Sequence, residues 1–71
     1  PELSQRGRQL MALLVEMAPA TPSDLARELG LTLGECGREL VLLEHRGLVA
    51  RSGDGMRTLT DAGTALLSTL F

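Results

Sequence analysis

Two complete sets of helix start and stop signals lie back to back in this chain, and they fix most of what it can become. Thr21-Pro22-Ser23-Asp24 opens the first. Thr21 can cap, Pro22 suits the first helical position, and Asp24 can return a hydrogen bond as in a capping box. Leu25, Ala26 and Leu29 then lay down an apolar stripe, and Gly30 supplies the left-handed residue that ends a helix. Thr32 opens the second set, with Glu35 completing another capping box and Gly47 closing the helix just after Arg46. So short a connection makes the two helices fold back on each other, with small Ala26 allowing close approach and Leu31 filling the corner.

Similar punctuation divides the rest. Upstream, Leu10, Leu13, Leu14 and Met17 recur at helical spacing, with Leu3 one step before them and Ser4 as N-cap. Pro19 stops this helix at about residue 18. Ala18-Pro19-Ala20 is then a turn with room for a few extended residues. Downstream of Gly47 the period changes. Leu48, Val49 and Ala50 read as a short strand, Ser52-Gly53-Asp54-Gly55 as a turn, and Met56 to Leu59 as the return strand. Thr60 caps a last helix, with Asp61 in its first turn and Ala62, Ala65, Leu66 and Leu70 as its apolar side. The expected class is mainly α with a small β-hairpin: helices near 5–18, 22–29, 32–46 and 61–70, and a hairpin between 48 and 59. Leu14, Leu25, Leu29, Leu31, Leu40 and Leu43 are the expected core. Cys36 joins them as a small buried hydrophobe, because it stands in helical phase with Leu40 and Leu43.

Composition narrows the function classes. With 71 residues the chain is one domain, 1–71, and its start at Pro1 instead of Met reads as a piece of a longer protein. The only aromatic residue is Phe71, so the core is built from Leu, Val, Ala and Met. Bases have no aromatic side chain to stack on, which argues against single-strand binding. Net charge is -2 and every basic residue is Arg, which excludes a strongly basic nucleic-acid coater and a polybasic membrane binder. One Cys and one His leave no disulfide framework, multi-Cys zinc site or His pair. With no nucleophile–base pair and few walls for a pocket, no catalytic residue, metal or cofactor is expected. No apolar run has the length of a membrane span, and the expected compartment is the reducing cytoplasm.

Two consecutive helices joined by a short Gly-containing turn are a helix-turn-helix, and the hairpin that follows is placed as a wing. The runs Asp24-Leu25-Ala26-Arg27-Glu28-Leu29-Gly30-Leu31, Leu43-Glu44-His45-Arg46-Gly47-Leu48-Val49 and Leu59-Thr60-Asp61-Ala62-Gly63 resemble the winged helix-turn-helix family, most closely its MarR-like branch. The resemblance covers nearly the whole chain. It implies a double-stranded DNA-binding domain of a transcription regulator, with the helix from Thr32 in the major groove and the hairpin on the backbone. The DNA-facing residues it implies are Thr32, Leu33, Gly34, Gly37, Arg38, Arg51 and Arg57. Arg38 is the long basic side chain placed to read a base edge, and Arg to guanine is the commonest such contact. Arg51 and Arg57 flank the wing tip and are candidates for phosphates; hairpin charges also keep a sheet edge soluble. Arg6 and Arg8 extend a basic edge or are simply solvated. Gly34 and Gly37 each cost about 1 kcal/mol against Ala in a helix. They either let the backbone approach a partner or are tolerated. His45, in the last helical turn, is read as a surface residue.

The third helix also departs from the family pattern. It offers Leu33, Val41 and Leu42 where groove-reading helices offer polar side chains, and Glu35 and Glu39 repel phosphate. Glu35 is accounted for as a capping partner. An apolar outer face also suits contact with another protein surface, either a second copy or the remainder of a longer chain. The alternative is therefore a winged-helix interaction or self-association module, of which the C-terminal domain of DprA-like DNA-processing proteins is a precedent in size and element order.

Overall fold

The structure is a computed structural model and describes residues 3–70. Helix α1 spans Gln5–Met17, α2 Pro22–Leu29, α3 Leu33–His45 and α4 Asp61–Leu70; strands β1 (Val49–Arg51) and β2 (Arg57–Leu59) lie between α3 and α4. The expected elements are all present, with ends within about one residue of the sequence reading. Phe71 lies outside the described residues, as does the side chain of Leu70.

Each start signal works as its chemistry requires. The Ser4 hydroxyl accepts from the Gly7 amide at 3.0 Å. Thr21 and Asp24 exchange the two capping-box hydrogen bonds at 3.1 and 3.4 Å, and Thr32 and Glu35 do so at 3.1 and 2.9 Å. Thr60 accepts from the Gly63 amide at 3.0 Å and donates to the Gly47 carbonyl at 2.6 Å, so the cap of α4 also ties it to the end of α3. Gly30 and Gly47 have φ of 69° and 73°, the left-handed conformation expected of helix-ending glycines.

The core is a single cluster of Leu10, Met11, Leu14, Ala20, Leu25, Ala26, Cys36, Leu40, Leu43, Leu48, Val49 and Leu67. Leu29 and Leu31 pack against it only half-buried, because they lie at the turn where the helix pair meets solvent. The expected stripe on α4 is corrected. Ala62 and Ala65 are exposed, and the side turned inward carries Gly63 and Leu67, with Leu66 half-buried. Gly63 sets that phase: a Cβ there would stand 2.1 Å from the Leu48 carbonyl oxygen. Only the bare face of α4 can lie against the base of the hairpin.

The hairpin pairs Val49 with Leu59, Ala50 with Thr58 and Arg51 with Arg57. Its turn is organised by Asp54, whose carboxylate accepts from the Ser52 hydroxyl and from the Met56 amide. Ala20, in the stretch after α1, forms an antiparallel bridge to Arg57 through amide bonds of 3.1 and 2.7 Å. This one-residue third strand seats the wing on the helices.

Candidate functional site

Helix α3 buries Cys36, Leu40 and Leu43 on one side. The opposite face carries Gly34, Gly37, Arg38 and Val41, at the spacing that stacks residues on one side of a helix. Leu33 at the helix start is 58% exposed, Val41 49% and Leu42 58%. These are the outward positions assigned from sequence. A hollow of about 600 Å³ lies over this face, lined by Gly34, Gly37, Arg38, Val41 and Leu42 and by the charged Arg6, Glu35, Glu39 and Arg57. A Cβ at Gly34 or Gly37 would meet nothing within 4 Å. No intramolecular packing requires either glycine, and both bare the backbone toward solvent.

The acidic residues of α3 have intramolecular partners. Glu35 accepts the Thr32 amide and lies 3.3 Å from the Arg6 guanidinium. Those contacts, the Thr32 backbone bond first, hold its carboxyl below the usual range. Glu39 accepts the Ser4 hydroxyl at 2.7 Å, which joins it to the cap of α1. Glu44 meets the Arg57 Nε at 2.9 Å. Glu39 has no explanation in the sequence pattern, because its partner lies on a different helix.

Arg57 is where the structure corrects the sequence reading. It is not a free cation at the wing tip: it is 8% exposed, paired with Glu44, and donates to the Gly55 carbonyl. Its guanidinium is tied to α3 through Glu44, and its side chain lines the hollow over α3 on the same face of the hairpin as Arg51. Arg51, directly across the ladder, stays exposed and shares a second hollow with Val41, Glu44 and His45. The exposed faces of wing and α3 therefore look the same way. Arg38 and Arg51 form no ion pair among the described residues, whereas Arg6 does. Thr32 lies at the start of this face with its hydroxyl accepting the Glu35 amide.

Cys36 is fully buried with its sulfur 3.5 Å from the Pro22 carbonyl, and burial pushes its thiol pKa up. His45 is exposed. Among the described residues no group of His, Cys, Asp and Glu is arranged to hold a metal, and no helix is long and apolar enough to cross a membrane.

A helix-turn-helix from α2 and α3, braced by α1 and followed by a hairpin packed beside α3, defines a winged helix-turn-helix. No protein-family model and no curated protein matches the sequence. Among solved structures the chain is similar to the transcriptional repressor CouR, bound to p-coumaroyl-CoA, with a TM-score of 0.88 and 28% identity. That likeness covers 96% of this chain and 50% of the repressor's, so the chain spans half of that protein's length.

Proposed function

We propose that this chain is the double-stranded DNA-binding domain of a transcription regulator of the MarR-like branch. In this reading α3 enters the major groove and the β1–β2 wing lies along the backbone. The observation that carries it is the likeness to a transcriptional repressor over almost the whole chain. Two of the three acids of α3 are ion-paired within the chain, and Glu39 keeps its charge. The three acids of α3 are engaged by Thr32 and Arg6, Ser4 and Arg57, while Arg38 and Arg51 stay exposed on one side. In this reading Thr32, Leu33, Gly34, Gly37 and Arg38 face the groove and Arg51 a phosphate. Arg57 acts by fixing the wing through Glu44.

The competing reading is a protein contact through Leu33, Val41 and Leu42. All three are exposed. Val41 and Leu42 line one hollow with Arg38, and Leu42 also borders a groove beside Leu3, Ser4 and Arg46, whereas Leu33 lines neither. Sequence-specific binding by so small a surface calls for a dimer that joins two half-sites.

The test is a low-salt titration with mixed-sequence duplex DNA, alongside sizing of the free protein. The proposal expects duplex binding weakened by Arg38→Ala and Arg51→Ala and retained in Leu42→Asp. No duplex binding, together with a self-association lost on Leu42→Asp, overturns it in favour of the interaction module.

A further inference from the structure

The exposed face of α3 has an unusual inventory for reading bases. In the major groove adenine is matched by the amide of Asn or Gln, cytosine by a carboxylate, and guanine by Arg or Lys. Thymine offers a methyl group to apolar side chains. Helix α3, Leu33–His45, contains no Asn, Gln, Ser, Thr or Lys. Each of its carboxylates has an intramolecular partner and keeps further acceptor sites: Glu35 meets Thr32 and Arg6, Glu39 meets Ser4, Glu44 meets Arg57. Thr32 is held as the cap, and His45 stands in the last turn beside Arg51. Over about the first two and a half turns the side chains with no intramolecular polar contact include one guanidinium, Arg38, and the methyl groups of Leu33 and Val41.

From this inventory we infer that α3 reads a guanine flanked by thymine methyl groups, with Arg38 on the guanine edge and Leu33 and Val41 packed on the methyls. The inference rests on the duplex-binding reading above and deepens it. Helix rise puts Leu33 and Val41 about 12 Å apart along the axis with Arg38 between them in height, Leu33 standing about 80° around the helix from Val41. That distance spans about three to four base pairs at the 3.4 Å spacing of a strand. Val41 has a short side chain and reaches a methyl only if the helix sits deep in the groove. Gly34 and Gly37, on the same face with open space before them, permit that depth. The apolar residues that look out of place for a groove-reading helix become the residues that select thymine.

The test uses the 71-residue chain and short duplexes selected by it from a randomised pool at low salt. Selected duplexes are resynthesised with deoxyuridine for thymine, which removes the C5 methyl and leaves the pairing edges unchanged. The expected result is a guanine with thymines within about four base pairs of it, and affinity falling about fourfold for each contacted methyl removed. Leu33→Ala and Val41→Ala, both at exposed positions that leave the core untouched, should each shrink the thymine–uracil difference. Arg38→Ala should keep that difference and lose the guanine preference. Equal affinity for thymine and uracil duplexes overturns the inference and leaves duplex binding standing. Absence of any duplex binding at low salt overturns both.

Discussion

Leu40 has no exposed surface and lies where α3 meets the rest of the core. Truncation to Ala removes its packing and leaves a cavity, at a cost of about 2–5 kcal/mol. A domain of this length is expected to hold about 4–10 kcal/mol in all, so Leu40→Ala should sit close to unfolding. A denaturant-unfolding shift under 1 kcal/mol would contradict the packing. Arg57→Ala tests a different energy. It removes the partner of a Glu44 that is itself only partly exposed, so about 1–3 kcal/mol of stability should go. Duplex affinity of the folded fraction should change less than in Arg51→Ala. The residue scale is also where sequence reasoning failed. The position of Arg57 in a hairpin made it look solvated, because Glu44 lies on a separate element and the bridge to Ala20 leaves no local signal. Cys36, by contrast, was readable from its phase with Leu40 and Leu43. A polar thiol reagent should label it only after unfolding.

At the scale of elements, caps and stops were legible because they are local. Thr21, Thr32 and Thr60 mark starts, Gly30 and Gly47 mark ends, and each acts within a few residues of its own position. The phase of α4 was not, since the alanines suggested one side while the contact at Leu48 selects another. Gly63→Ala should gain helix propensity and still lose about 1–3 kcal/mol, because the new methyl meets a backbone carbonyl that already accepts the Thr60 amide. A rise in melting temperature would show that α4 sits further from the hairpin. The start of α3 carries a pH dependence. Glu35 has its pKa lowered in the folded protein, so its contribution is present above its ordinary value of 4.5 and is lost as pH falls through the lower folded value. Glu35→Gln should flatten the acid limb of the stability profile, read by circular dichroism below about pH 4.5.

For the molecule as a whole, α1 does more than brace the helix-turn-helix. Through Arg6 and Ser4 it engages Glu35 and Glu39, the two acids that argued against a DNA face when α3 was read alone. With Arg57 paired to Glu44 and Arg38 assigned to a base edge, Arg51 is the arginine of this site assigned to a phosphate. The plot of log affinity against log salt should therefore have a slope near -1 for one domain, shallow for a DNA binder. The most direct measurement of the central claim is the map of backbone amide shifts as mixed-sequence duplex is titrated into the labelled chain at low salt. Shifts should concentrate at Thr32 to Val41 and at Arg51 to Gly55, with Ala62, Ala65 and Thr69 unmoved. Shifts centred on α4, or none anywhere, would contradict that claim.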